Sequence, residues 1–230
     1  MSDYKDHALE AILAARPQYI KSASLSDQIY MLLKELILDR KIPDNSVMSE
    51  SKLATELNVS RTPIREAFVR LAGENLLVRQ GARSYAVRSV DIKEYLDSMV
   101  LREVLEVEAV KRAIDRIDPN QLSALIEELE ELMNNQGEEA MDENVFWRFD
   151  EKLHDCLANA SGNLVLAHVL SELRANVRLF RLHSPLHRQD ENHNEHLDLL
   201  KHMKNKDVEM STQAIKKHIQ NLRNDVISSL

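Results

Sequence analysis

A chain of 230 residues is long enough for one large domain or two ordinary ones, and two is the expectation. Four glycines, five prolines and 4% aromatic against 30% charged residues favour helices over sheets, and the single cysteine, Cys156, excludes an intramolecular disulfide. No segment approaches the roughly 18 uninterrupted apolar residues of a membrane span, and the first residues lack the apolar core of an export signal, so a soluble cytoplasmic protein with no membrane partner is expected. The net charge of −8 taken alone speaks against nucleic acid as a partner, but it hides an asymmetry. Residues 24–88 carry ten Lys/Arg and eight Asp/Glu, whereas residues 91–230 carry seventeen and twenty-seven. Within 61–88 alone six Arg face two Glu, a concentration of positive charge suited to a local DNA footprint.

Residues 1–23 read as an N-terminal extension. It is either a short helix over 8–15, packed on the first domain or on a partner subunit, or disordered. Residues 24–88 read as one domain. Leu25, Ile29, Leu32, Leu33, Leu36 and Ile37 recur at spacings of three and four, which predicts a first helix over 25–38 with one buried face. The segment from Lys41 to Glu50 interrupts it with Pro43 and Asp44-Asn45. Ser49 then stands where it can cap a short helix, and Asn58 supplies a turn. Ser60 can cap the next helix, with Pro63 tolerated in its first turn. In that helix Ile64, Ala67, Phe68 and Leu71 share the buried face, while Arg61, Thr62, Arg65 and Glu66 lie opposite. Two short helices joined by a tight turn, with arginines at the start of the second, are what a recognition helix requires, because its N-terminal residues reach the base edges and Arg can bond guanine through two nitrogens. Residues 76–80 and 85–89 alternate apolar and polar around Gly81 to Ser84, which predicts a β-hairpin. As a wing, it would offer Arg79, Arg83 and Arg88 to phosphates or the minor groove. The same features also suit a generic scaffold with solvated arginines.

The stretch S-E-x-x-L-A-x-x-L-x-V-S-R-T-P-I-R-E-A-F-x-R-L, from Ser49 to Leu71, resembles the winged helix-turn-helix of the GntR family of bacterial regulators. The resemblance implies three helices plus a β-hairpin wing, double-stranded DNA as partner, and contacts from Ser60, Arg61, Thr62, Arg65 and Arg70, with Arg83 from the wing.

From residue 91 onward no strand-like alternation is found. Six helices are predicted, roughly over 92–115, 119–134, 141–159, 163–183, 189–204 and 207–227, joined by short polar connectors: an all-α antiparallel helical bundle occupying 91–230. Asp150 and His154 lie four apart on one helical face and can chelate. His196 shares an apolar stripe with Leu199, Leu200 and Met203, and His218 lies among Ile215, Ile219 and Leu222. Three histidines therefore point inward, where an unpartnered imidazole costs about 1–3 kcal/mol. Metal coordination is one explanation and a neighbouring carbonyl or carboxylate for each ring is the other; His193 and His202 read as surface residues.

The runs R-x-x-L-E-x-x-A (Arg102 to Ala109), D-E-K-L-H and A-S-G-N (within Asp150 to Asn163), Glu195-His196 and Lys217-His218 resemble the FCD ligand-binding domain of the FadR subfamily of GntR regulators. The resemblance implies a divalent metal held by Asp150, His154, His196 and His218, zinc first, with nickel, iron or manganese compatible with the same nitrogen and oxygen donors. It also implies a small carboxylate effector near the metal. Arg102 is the leading carboxylate partner, and Arg174 and Arg178 are further candidates, though either also suits a surface salt bridge. The acyl-CoA-responsive member that names the subfamily lacks this metal set, so its effector is not expected here. The expected protein is a homodimeric repressor on a palindromic operator, with residues 88–93 as hinge. A metal-sensing regulator is the alternative. A metallohydrolase finds little support, since no HExxH motif, Ser-His-Asp set or Gly-rich phosphate loop is present.

Overall fold

The computed structural model describes residues 4–15, 24–134, 143–180 and 188–229. Two compact units divide at Asp91 and Ile92, with Arg178–Phe180 grouping with the first. In the first unit, α1 (Tyr4–Ala14) precedes α2 (Leu25–Leu38), β1 (Val47–Ser49), α3 (Glu50–Glu56), α4 (Arg61–Gly73), β2 (Leu77–Arg79) and β3 (Ser84–Val87). Of the two readings left open for the N-terminal extension, a helix is what the structure describes, as α1, which starts at Tyr4 and so four residues before the 8–15 read from the sequence, with Ala8 and Ile12 buried; residues 16–23 lie outside the described set.

Local chemistry sets the ends of these elements. Ser24 caps α2 by accepting from the Asp27 amide at 3.1 Å, and Ser49 accepts from the Lys52 amide at the start of α3. The turn between α3 and α4 runs through Asn58 at φ 54°, a left-handed geometry that asparagine tolerates. Ser60 occupies the N-cap position of α4 and is exposed, but its side chain makes no cap bond, contrary to the capping role expected of it. The core forms where the apolar stripe of α2 (Ile29, Leu33, Leu36, Ile37) meets that of α4 (Ile64, Ala67, Phe68, Leu71), all at most 3% exposed. Phe68 meets Tyr85 of β3 edge to face, which seats α4 on the sheet.

The expected hairpin is present, but the sheet has a third strand. Its order is β1-β3-β2, all antiparallel, with Met48 opposite Tyr85 and Val78 opposite Ala86. Three residues are too few to show alternation, and β1 lies in a stretch punctuated by Pro43 and Asn45, so only its pairing with β3 defines it.

The second unit comprises α5 (Ile92–Ala113), α6 (Pro119–Asn134), α7 (Glu143–Ala160), α8 (Leu164–Phe180) as far as Val177, α9 (Gln189–Lys204) and α10 (Val208–Ser228). The six predicted helices match these within two or three residues wherever the structure describes them; the expected ends at 141 and 183 fall outside the described residues. α5 packs on α10 and α7, and α9 packs on α10 and α6. The core draws Met99 and Val110 from α5, Leu125 and Leu129 from α6, Leu153 and Leu157 from α7, Leu199 and Leu200 from α9, and Ile215 and Ile219 from α10. Each such side chain contributes about 1.5–3 kcal/mol by leaving water.

The α7–α8 turn needs its glycine for its backbone conformation. Gly162 has φ +71°, and a Cβ there would collide with the Arg116 guanidinium, which itself bonds the Ser161 carbonyl. Gly162→Ala is therefore expected to destabilise the protein by at least about 1–2 kcal/mol, the cost of the left-handed backbone alone, as read by thermal or denaturant unfolding.

Between α2 and α4, Glu74 accepts from Lys34 at 2.8 Å and from the Tyr30 hydroxyl. Burial pushes the Glu74 carboxyl up, but these two bonds outweigh it and hold it below its ordinary 4.5. A carboxyl with a depressed value stabilises the fold above its ordinary range and loses that contribution as pH falls through the folded value. Acid unfolding of wild type should thus include a component below pH 4.5 that Glu74→Gln removes, visible as a flatter dependence of melting temperature on pH.

Candidate nucleic-acid interface and metal centre

α4 presents Arg61, Thr62, Arg65, Glu66, Val69 and Arg70 outward, the face opposite its buried stripe. With Glu50 and Arg83 these side chains line one shallow groove, and Ser60 and Arg61 line an adjoining hollow with Ser51, Thr55 and Asn58. The structure therefore brings Arg61, Thr62, Arg65, Arg70 and the wing residue Arg83 to one concave surface, with Ser60 at its margin. Arg70 is also tied sideways: its guanidinium lies 3.7 Å above the Tyr30 ring and bonds Asp27 at 3.0 Å. The wing arginines differ from one another. Arg79 folds back to bond the Gly81 and Ala82 carbonyls at 2.9 and 3.2 Å, bracing the tip; Arg88 is half-buried; Arg83 is exposed. A short wing leaves carbonyls at its tip without strand partners, and Arg79 is near enough to satisfy them.

In the bundle, α7 carries Asp150 and His154 one turn apart, α9 carries His196 and α10 carries His218. Asp150 Oδ1 lies 3.6 Å from His154 Nε2 and 3.5 Å from His196 Nε2, and the Nε2 atoms of His196 and His218 are 3.2 Å apart. One ligand atom from each of the four residues falls within 4.8 Å of all the others, and all four residues are buried. The outer ring nitrogens are engaged differently. His154 Nδ1 meets Glu106 Oε2 at 2.5 Å and His218 Nδ1 meets Glu195 Oε2 at 2.8 Å, whereas His196 Nδ1 is buried with no hydrogen-bond partner among the described residues.

Charge binds the cluster together. Burial raises the Asp150 and Glu106 carboxyls, but His154 and Arg102, with His196 at Asp150, outweigh burial and hold both well below the usual carboxylate range. Burial lowers His154, yet Glu106 and Asp150 on either side push it up to about 9. Burial and the neighbouring His218 drive His196 well below its ordinary value, and burial lowers His218 against the opposing pull of Glu195.

The donor set suits a divalent metal. Three imidazole nitrogens and one carboxylate oxygen are borderline donors, and His154 Nε2 is buried and aimed into the cluster without a hydrogen-bond partner among the described residues. His193 departs from the surface position expected of it. It is fully buried one turn before His196 and senses the Asp150 charge, and the polar residues around it in α9 had masked this.

The three candidate effector arginines separate. Arg102, 2% exposed, directs Nε and Nη2 at Glu106 Oε1 (2.9 and 2.7 Å), so its fork is already occupied inside the bundle. Arg174, 8% exposed, bonds Asp155 through Nη2, while its Nε and Nη1 are buried without a hydrogen-bond partner among the described residues, and its charge reaches Glu106. Arg178 groups with the first unit and not with the bundle. Glu106 and Glu195 carry functional geometry that periodicity did not single out. The available signals were Glu106 four residues after Arg102 and Glu195 beside His196.

Residues 25–87 match the gntR family of bacterial regulatory proteins, and residues 97–221 match the FCD domain. The uncharacterized HTH-type transcriptional regulator YdhC of Bacillus subtilis is 28% identical over 83% of this chain and 86% of its own length. The HTH-type transcriptional repressor RspR of Escherichia coli is 24% identical over 88% of this chain and 89% of its own. The solved structure of E. coli McbR/YncC shares the fold, with a TM-score of 0.75 at 23% identity, covering 90% of this chain and 99% of that one. The chain belongs to the GntR family and carries an FCD domain; it is a DNA-binding transcriptional regulator and not an enzyme. No helix among the described residues is long and apolar enough to cross a membrane.

Proposed function

We propose that this protein is a homodimeric cytoplasmic repressor of the FadR subfamily, whose affinity for a palindromic operator is set by a small carboxylate bound beside a divalent metal. The observation that carries the reading is the convergence of Asp150, His154, His196 and His218, buried with their ligand atoms within 4.8 Å of one another. Zinc is the first choice of ion, and nickel, iron and manganese suit the same donors. Four protein ligands leave one or two positions for an oxygen ligand, and a bound ion would supply a Lewis-acidic centre for a carboxylate there. Arg174 is the better anchor for that carboxylate, because two of its buried nitrogens lack hydrogen-bond partners among the described residues while Arg102 already holds Glu106.

Repression accords with RspR, a repressor similar over most of the chain. Exposed Val100, Leu101 and Val104 on α5, with Leu164 and Val165 at the start of α8, support pairing of two bundles. Ser60, Arg61, Thr62, Arg65, Arg70 and Arg83 form the DNA-facing set, with Arg61 and Arg65 reading bases and Arg83 positioning the duplex.

Two measurements test this. Arg65→Ala should weaken binding to the cognate operator by about 1–3 kcal/mol while leaving the melting temperature unchanged; undiminished operator affinity in a gel-shift or anisotropy titration counts against the recognition-helix assignment. Metal analysis followed by thermal unfolding against a panel of small carboxylates tests the effector half. One acid, at about 100 times its Kd, should stabilise wild type by about 2.7 kcal/mol and leave His196→Ala unmoved. Metal-loaded protein that no acid shifts, but whose operator affinity follows the metal, would make the ion itself the signal.

A further inference from the structure

Two glutamates flank the histidine cluster without belonging to its ligand atoms. On α5, Glu106 turns Oε2 to His154 Nδ1 (2.5 Å), while its Oε1 accepts from Arg102 Nε (2.9 Å) and Nη2 (2.7 Å). On α9, Glu195 turns Oε2 to His218 Nδ1 (2.8 Å), while its Oε1 accepts from Arg188 Nη2 (2.5 Å) and Asn221 Nδ2 (2.7 Å). The same succession of arginine, glutamate and histidine thus approaches the cluster twice. His196, the third imidazole, has no such support among the described residues.

We propose that Glu106 and Glu195 are positioning residues for the metal centre, each holding the Nδ1 proton of its histidine so that the Nε2 lone pair faces the ligand cluster, and each held in turn by an arginine. This rests on the metal reading above. An imidazole binds a metal through an unprotonated nitrogen, and the bond made by its other nitrogen decides which one that is. The alternative is close at hand at His218. With its proton on Nε2, the ring could donate across 3.2 Å to His196 Nε2, and a hydrogen bond between the two imidazoles would take the place of metal coordination. Glu195 excludes that arrangement because its carboxylate accepts the Nδ1 proton. Arg188 and Asn221 occupy its other oxygen and fix its orientation.

Glu195 is the better residue to test. Glu106 and Arg102 are 3% and 2% exposed, so neutralising Glu106 would strand a buried guanidinium and confound stability with positioning. In Glu195→Gln the size is kept, but the one amide oxygen cannot serve both His218 and the Arg188/Asn221 pair. The full-length wild type, Glu195→Gln and Arg188→Met would be compared by zinc titration against a competing chelator, by melting temperature without zinc, and by nitrogen-15 spectra of His218. The expected result is a 10–100-fold loss of zinc affinity in Glu195→Gln and a smaller loss in Arg188→Met. The zinc-free melting temperatures should stay close to wild type, and the His218 tautomer should shift from Nδ1-protonated to mixed in Glu195→Gln. Wild-type zinc affinity with an unchanged His218 spectrum in Glu195→Gln overturns the positioning role and leaves the metal reading standing. A wild type that binds none of zinc, nickel or manganese overturns both. If Glu195→Gln does not fold, Arg188→Met decides, and unchanged zinc affinity there overturns the inference.

Discussion

Burying three imidazoles and their carboxylates beside one another is the constraint on which the helical bundle depends. Isolated, each ionised group would be expensive to remove from water, and each unpaired ring nitrogen would cost a further fraction of the protein's marginal stability. The structure offsets this with charge and hydrogen bonds: Arg102, Glu106, His154 and Asp150 alternate in sign from α5 into α7, and between α9 and α10 the paired Arg188 and Glu195 stand behind the His218 ring, which Glu195 meets at Nδ1. Four helices are thereby tied to one point, and their apolar stripes pack around it. A polar centre of this kind is justified less by stability than by what it can hold.

The first unit follows the opposite plan. Its core is plain apolar packing of α2 on α4, with Phe68 seated on Tyr85, and its charges lie on the surface. Because the buried face of α4 is fully consumed by that packing, the outward face is fixed in orientation, and Arg61, Thr62 and Arg65 are presented as a group. The acidic residues gather in the bundle, so an overall charge of −8 still leaves the first unit with a positive balance, the sign a duplex-binding surface requires.

The arginines show how residue type underdetermines role. Arg79, Arg83 and Arg88 are equivalent as letters in the wing, yet one braces the tip, one is exposed and one is half-buried. Arg102, an expected carboxylate partner, holds Glu106, whereas Arg174 retains two buried nitrogens without hydrogen-bond partners among the described residues. In each case the difference lies in which carbonyl or carboxylate the fold brings within reach, and that partner can be distant in sequence.

Periodicity and capping chemistry determined the helices by themselves: α2, α6 and α9 fall where spacing placed them, because an apolar stripe at 3.6-residue spacing has one way to bury itself. The inward histidines were legible for the same reason, since His196 and His218 share stripes with Leu199, Leu200, Ile215 and Ile219. The third strand was not legible, because β1 is three residues whose conformation is imposed by pairing with β3. Nor was the burial of His193, or the pairing of Glu106 with His154 across 48 positions and of Glu195 with His218 across 23. A sequence records which face of a helix is apolar, but only the packing of helices decides which polar groups meet in the dry space between them, where a partner is obligatory.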